Sequence, residues 1–385
     1  MRMDERRGSF PELEIARGVA PLITESRGDI DADRELPKKL VQALTGQGLF
    51  RLLLPSAFGG SQLPLPKFIR CVEVIAEADG STGWCVGQGG VFPNVADYMP
   101  EETAEAIWGA NPGAVVATGT PTGSTALEVD DGFELQGRWR FASGVMHASW
   151  LAAMSPIVDA SGKAIGFGMF LVPRDEITLG DGWNVRGLRG TGSREYTLDG
   201  LVVPRPRALL DNVFRSHCGM ATGLPSHLLF ASAFGSVGLG IARSAIDTLM
   251  ATIEGKTPMF MNRKLIDDDL VHVGLGEAEA LWGQSRSFLH DVAEECAHHH
   301  EHHGPPSDSL RSHLRLSATN AMRRSAEVVD KAYTLCGTDG IFEDHPLHRN
   351  FQDIHALTQQ VQARPAHFRT VGRVLLGLPP DSAVL

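Results

Sequence analysis

Cysteine is scarce in this chain and scattered: Cys71, Cys85, Cys218, Cys296 and Cys336, with no Cys-x-x-Cys pair. An odd, dispersed set suits a reducing cytoplasm better than a disulfide framework. Basic charge is also in short supply. Lys and Arg number 35 against 46 Asp and Glu, a net charge of −11, and no basic block stands out. That argues against nucleic acid or an anionic membrane surface as a partner. The uncharged run Phe230 to Ala242 falls short of the roughly 20 apolar residues that a membrane span needs. Its Gly, Ser and Ala content predicts a close-packed buried helix instead. Met1 to Gly8 is charged with no apolar stretch behind it, so no secretory or transit peptide is expected and the protein reads as soluble and cytoplasmic. No Gly-x-Gly-x-x-Gly occurs, which argues against a Rossmann domain holding its own NAD(P)H. What remains is an ordinary globular balance, 385 residues with 43% hydrophobic and 21% charged, enough for two or three packed domains.

Three textures follow one another along the chain. Residues 1–112 read as helical, with Ile15, Val19, Leu22 and Ile23, and then Leu36, Leu40, Val41 and Leu44, on the 3.6-residue period. Residues 113–210 carry short strand-like runs at Val115–Gly119, Phe133–Phe141, Trp150–Val158, Ala164–Val172 and Glu195–Val203. The turn pairs Asp131-Gly132, Ser161-Gly162 and Asp199-Gly200 separate them, which predicts an antiparallel barrel or sandwich. Residues 211–385 return to the helical period. Leu314, Ala318, Ala321, Ser325, Val328, Ala332 and Leu335 form the seam of a helix in a four-helix bundle. The expected class is therefore α+β: helices, a β middle, then the bundle.

Local motifs point to chemistry only weakly. Ser143-Gly144 between two strands can aim a hydroxyl and backbone N–H groups at a planar ligand, but most Ser-Gly steps are simply turns. Ser143 also lacks the Gly-x-Ser-x-Gly setting of a hydrolase nucleophile. Gly187 to Ser193 is glycine-rich but neither opens a helix nor matches a P-loop. In His298-His299-His300-Glu301-His302-His303, a zinc motif would need histidine at 304, where Gly304 stands. The run is expected to end a helix, and no native metal site is expected. Cys336-Gly337-Thr338-Asp339-Gly340, followed by His345 to His355, reads as a helix–helix corner or as a pocket lining.

Together these pieces resemble the acyl-CoA dehydrogenase family, and more narrowly its flavin-dependent monooxygenase branch, over nearly the whole chain. The markers are Leu54-Pro55 with Gly59-Gly60, Gly80-Ser81-Thr82-Gly83-Trp84, Trp139 through Trp150, Gly187 to Ser193 and Val203-Pro204. They continue in Gly238-Leu239-Gly240-Ile241-Ala242-Arg243, Gly337 through His355, and Gly372 to Gly377. The resemblance implies a flavin between the β domain and the bundle, and a homotetramer in which a neighbouring subunit helps hold the cofactor. It implies that Ser143 contacts the flavin near N5, among Trp139, Phe141, Gly144 and His147. Gly337, Thr338 and Gly340 match the glycine-rich turn near the cofactor, and Arg263 is the candidate cation for it.

A dehydrogenase of this family needs a carboxylate base. The matching stretch Asp353 to Arg364 contains no Glu, and the equivalent position is Val361. Glu254 keeps an acyl-CoA dehydrogenase with FAD as the second reading. The monooxygenase branch places histidines late in the chain. Asp353-Ile354-His355-Ala356 meets its Asp-x-His-Ala pattern, while a second histidine is replaced by Gln360 and a substrate-facing one by Asn94.

The expected function is thus an oxygenase component. It receives reduced FMN or FAD from a separate reductase, uses O2 through a C4a-hydroperoxyflavin, and oxygenates a small aromatic or heteroaromatic substrate of indole type. An amine- or sulfur-oxygenating enzyme of the same branch, and a flavin-fold protein without catalysis, also fit the residues. Ser143, His355 and Gln360 are the expected catalytic residues. Trp84, Asn94 and His147 are expected to line the substrate pocket, with specificity set by Gly87–Tyr98 and Asp211–Leu224.

Overall fold

The computed structural model describes residues 8–210, 218–260 and 262–381, so the first half of the 211–224 loop lies outside the described residues. The N-terminal part holds α1 (Pro11–Glu25), α2 (Arg27–Asp33), α3 (Lys38–Gly46), α4 (Leu65–Ala78), α5 (Gly80–Val91) and α6 (Glu101–Ala104). α1 opens on proline, which suits a first turn whose N–H groups have no intrahelical partner, and buries Leu13, Ala16, Val19 and Ile23 along one stripe. α5 is buried on every side. Asp79 caps it, accepting from the Thr82 N–H at 2.7 Å and the Thr82 hydroxyl at 2.8 Å.

The C-terminal part holds α7 (Ser226–Ile253), α8 (Asp269–His303), α9 (Asp308–Cys336), α10 (Pro346–Leu357) and α11 (Ala366–Leu375). α7 is long and apolar enough to cross a membrane, but 94% of its most apolar window is buried inside the protein. Close approach explains its glycines. A methyl group on Gly240 would stand 2.5 Å from the Glu73 carbonyl oxygen of α4, so only glycine lets the two backbones meet. The seam expected on α9 is buried from Leu314 to Ala332. The histidine run ends α8 at His303, with Gly304 at φ 82° beyond it.

Between the helical parts lies one seven-stranded sheet: β1 (Val116–Val129), β2 (Gly132–Ser143), β3 (Trp150–Val158), β4 (Ala164–Pro173), β5 (Thr178–Leu179), β6 (Tyr196–Pro204) and β7 (Ala208–Leu210). Their order is β5-β6-β2-β1-β3-β4-β7. β2 and β4 are three places apart in that order, yet the Phe133 and Phe170 rings meet at 5.2 Å. The sheet therefore curls around a core of its own that includes Leu135, Trp139, Leu151 and Tyr196.

Two details depart from expectation. The sheet is mixed, because β1 and β3 pair in parallel, Val116 opposite Trp150. The cause is topological: β2 returns antiparallel along one side of β1, and the chain then crosses to the other side through residues 144–149, so β3 must run with β1. Asp199-Gly200 is not a turn but lies inside β6. Gly200 has φ 70° where the β2/β6 register slips between Leu135 and Gly137, the geometry of a glycine bulge.

Candidate active site

The crossover that makes the sheet mixed also builds the site. β2 ends at Ser143, and α5 grips that residue twice. Trp84 Nε1 donates to Ser143 Oγ at 3.0 Å, and Gln88 Nε2 donates to the Ser143 carbonyl at 2.9 Å. Trp84 and Gln88 are four apart and so share one face of the helix. Gly144, at φ 80°, turns the chain away and donates its N–H to the Thr191 carbonyl at 2.8 Å.

From Ser143 a chain of hydroxyls runs through the 187–193 loop. Ser143 Oγ lies 2.7 Å from Ser193 Oγ, and Ser193 Oγ lies 2.7 Å from Thr191 Oγ1. Thr191 donates to the Leu188 carbonyl at 2.8 Å. The Leu188 N–H then reaches Asp353 Oδ1 of α10 at 2.5 Å. Leu188 sits at φ 52°, a left-handed conformation that costs a non-glycine residue about 1 kcal/mol, held by these bonds on both sides. β domain, α5 and C-terminal bundle thus meet at one loop.

Aromatic rings stand on both sides of the crossover. Trp84 stacks on Phe234 of α7 at 3.9 Å, and Phe230 and Phe92 continue this buried wall. On the other side Phe141 is 54% exposed at φ 58°, edge-on to Trp183. Strand alternation would put Phe141 on the same face as Trp139 and Ser143. A register slip between Thr118 and Thr120 of β1, opposite this segment of β2, breaks the alternation and turns the ring outward. His147 completes the crossover. Its Nε2 is buried and has no hydrogen-bond partner, and burial pushes its pKa down to about 4, so the ring is neutral at pH 7.

Asp353 is the one carboxylate hydrogen-bonded to this hub among the described residues. Burial, with Asp79 nearby, raises its pKa to about 7 against the opposing pull of the Leu188 N–H and Arg349. Arg349 bonds Asp79 at 3.1 Å, the Asp31 carboxylate, and the Arg27 carbonyl at 2.7 Å. This charged cluster pins α10 to α2 and to the α4–α5 junction.

The structure thus brings together Ser143, Trp84, Gly144, Phe141 and His147. Other expected residues stand elsewhere. Trp139 is fully buried in the sheet's core, stacked on Tyr196 and donating to the Met154 carbonyl. His355 points away from the hub. It lies two residues from Asp353, hence on the opposite side of α10, where it pairs with Asp330 of α9 at 2.9 Å. Gln360 accepts from the Gln362 N–H at 2.5 Å, capping a short turn. Asn94 is buried and donates to Tyr98 and Ser226. Arg263 is exposed and paired with Asp268, while Gly337 to Gly340 form a turn beside Lys256. None of these shares a hydrogen bond with the hub. Glu254 lies exposed at the end of α7. Sequence reasoning misses Gln88, Thr191, Ser193 and the buried Asp353 as site residues. The signals available for them are the i,i+4 spacing of Gln88 from Trp84, the glycine-rich stretch that holds Thr191 and Ser193, and the Asp-x-His-Ala motif that begins at Asp353.

The acyl-CoA dehydrogenase N-terminal domain matches residues 15–107, and the acyl-CoA dehydrogenase C-terminal domain matches residues 232–365. Indole-3-acetate monooxygenase of Pseudomonas putida is 30% identical over 92% of this chain and 90% of its own length. The flavin-dependent monooxygenase oxygenase subunit HsaA of Mycobacterium tuberculosis is 28% identical over 99% of both chains. Its crystal structure superposes with a TM-score of 0.90 at 25% identity, covering 97% of this chain and 99% of that one. TdsC from Paenibacillus sp. A11-2, solved with FMN and indole, superposes with a TM-score of 0.85 at 20% identity, over 97% and 99% of the two chains. The chain belongs to the acyl-CoA dehydrogenase family. Within that family it is a flavin-dependent monooxygenase.

Proposed function

We propose that the protein is the oxygenase component of a two-component system. It takes reduced FMN or FAD from a separate reductase and uses O2 to oxygenate a small aromatic or heteroaromatic molecule of indole type. The observation that carries this reading is the uncharged character of the Ser143 hub. A hydroxyl, two N–H donors and a neutral imidazole adjoin a buried aromatic wall, and the one carboxylate that reaches the hub among the described residues, Asp353, is bonded to the Leu188 N–H at the far end of the hydroxyl chain rather than to Ser143. Glu254, the candidate base for a dehydrogenase, is exposed, and an acyl-CoA base has to act from within a dry pocket.

The residues present fit a flavin. Phe141 offers an outward ring held in a strained conformation, Ser143 Oγ a polar edge, and His147 an unpartnered buried nitrogen. A bound reduced flavin supplies two electrons and, with O2, one transferable oxygen atom, the other leaving as water. The chain's own work is positioning. Ser143, fixed by Trp84 and Gln88, orients the ring edge. The Trp84–Phe234–Phe230–Phe92 wall stacks a flat apolar substrate and keeps water out, which limits wasteful release of hydrogen peroxide. Gln360, through its amide N–H2, is the candidate for managing oxygen, with His355 the other residue the family resemblance offers for that role.

Oligomerisation belongs to the same proposal. Exposed apolar side chains on the C-terminal part, among them Leu270, Val273, Ile341, Phe342, Leu375 and Leu376, support self-association, and the family resemblance makes the assembly a homotetramer. In it, Arg263 and the Gly337–Gly340 turn would serve a neighbouring subunit's flavin. Five free cysteines, four of them buried, support a reducing, cytoplasmic setting.

The test mixes purified protein anaerobically with reduced FMN or FAD, then with 18O2 buffer and indole. A product two mass units heavier than its 16O counterpart, with a lower peroxide yield than without indole, is the expected result. Bleaching of bound oxidised flavin by an acyl-CoA, with no labelled product, would establish a dehydrogenase instead. Light scattering on the same preparation reads the oligomer.

A further inference from the structure

We propose that Thr191 and Ser193 are redox-specificity residues that make the flavin site select the reduced cofactor. The inference deepens the monooxygenase reading above and rests on it.

Counting protons along the hydroxyl chain fixes its direction. A hydroxyl carries one proton and two lone pairs, whereas a carbonyl oxygen only accepts. Thr191 Oγ1 lies 2.8 Å from the Leu188 carbonyl, so its proton must point there. At its 2.7 Å contact with Ser193, Thr191 can then only accept, and Ser193 donates. Ser193, its proton committed, can only accept from Ser143 at 2.7 Å. Ser143 in turn has no proton left to offer, and one of its lone pairs already takes the Trp84 N–H at 3.0 Å. A single lone pair remains. The polarity of the whole chain is thus set at its far end, by a backbone carbonyl that cannot donate.

Flavin N5 changes character with oxidation state: it carries a hydrogen when reduced and is a bare acceptor when oxidised. A lone pair on Ser143 complements the N5–H of the reduced ring and opposes the lone pair of the oxidised one. A freely rotating serine would serve both. Trp84 and Ser193 hold Ser143 Oγ from two sides, and its carbonyl is fixed by Gln88, so it cannot turn to accommodate the oxidised form. Thr191 and Ser193 touch no cofactor in this scheme; they act through Ser143.

The experiment measures anaerobic dissociation constants for reduced and oxidised FMN, and the two-electron midpoint potential of bound FMN, in wild type, Thr191→Val, Thr191→Ser and Ser193→Ala. Thr191→Val takes away the acceptor of the Ser193 proton, and Ser193→Ala takes away the acceptor of the Ser143 proton. Both leave Ser143 able to donate. The expected result is an oxidised-to-reduced Kd ratio lower by about tenfold in both variants, equivalent to a fall of about 30 mV in the bound potential. Thr191→Ser, which keeps the hydroxyl, should restore both values. A packing defect alone would weaken both redox states together and leave the potential unmoved. If Thr191→Val does not fold, Ser193→Ala carries the test. An unchanged ratio and potential in variants that still bind FMN would overturn the inference while leaving the monooxygenase reading intact. Failure of the wild type to bind either state would overturn both.

Discussion

Two buried polar networks meet at Leu188, and they differ in kind. On one side the Trp84–Ser143–Ser193–Thr191 chain is neutral throughout, each group donating once to the next. On the other, Arg349 is surrounded by Asp79, Asp31 and Asp353, a cluster dense in charge. The neutral chain borders the aromatic wall where oxygen chemistry is proposed, and the charged one lies behind α10. Charge near a developing oxygen transfer would bring water with it, since an ion is costly to keep dry. Segregation lets ionic bonds set the geometry from a distance while the site itself stays uncharged. Leu188 joins the two, its N–H bonded to Asp353 and its carbonyl to the Thr191 hydroxyl.

The sharpest way to break this contrast is Arg349→Leu. It removes three bonds at once and leaves the nearly fully buried Asp79 without its ion-pair partner, only the Thr82 bonds remaining. Loss of one partner from such a pair costs about 3–5 kcal/mol. Urea unfolding should show that drop, together with faster proteolysis of the 187–193 loop. A change below about 1 kcal/mol would mean that the cluster is not what holds α10.

Asp353→Asn comes next and reads pH. The native carboxyl titrates near 7 against about 4 in the unfolded chain, so between these values the native state holds the proton and the unfolded state does not. The native state then binds more protons, and stability falls as pH rises through that window, by at most about 1.4 kcal/mol per unit, levelling off above 7. Asparagine still accepts from Leu188 but cannot ionise. The difference between wild type and variant should therefore grow from pH 4 to 7. A flat difference would place the Asp353 proton elsewhere.

How much of this is legible in the sequence depends on the range of the interaction. The order of helices, strands and bundle follows from local periodicity, and so do the buried stripes of α1 and α9. The parallel β1/β3 pair does not, because it arises from a crossover whose direction no strand pattern encodes. Ser143, Gly144 and Phe141 carry a local mark in a Ser-Gly step between strands. Thr191 and Ser193 lie in a marked glycine-rich stretch, but nothing local shows their role, which lies in the direction of protons relayed between residues 50 apart in the chain. Asp353 and His355 belong to one short motif, yet only helical phase decides which of them faces the hub.

Trp84→Phe probes the neutral side with a smaller effect. The ring stack on Phe234 survives, but Ser143 Oγ loses its N–H donor. Stability should fall by about 1 kcal/mol. Peroxide released per reduced flavin consumed should rise severalfold, because Ser143 is then held from one side only. A variant as tightly coupled as wild type would show that Ser193 and Gln88 suffice to fix the serine.

The smallest effect is expected at His355, and it sharpens the contrast most. The resemblance to the family makes this histidine a catalytic candidate, whereas the structure pairs it with Asp330 at a half-exposed position on the far side of α10. Such pairs contribute about 0–1 kcal/mol. His355→Ala should therefore lower stability by less than that, and leave product yield, peroxide release and reduced-flavin Kd within about twofold of wild type. Substitutions at the hub and at His355 then separate cleanly if the two faces of α10 are independent within one chain. A large loss of coupling in His355→Ala, with stability unchanged, would instead mean that the histidine reaches a cofactor across a subunit boundary, and the flavin site would have to be redrawn to include the outer face of α10.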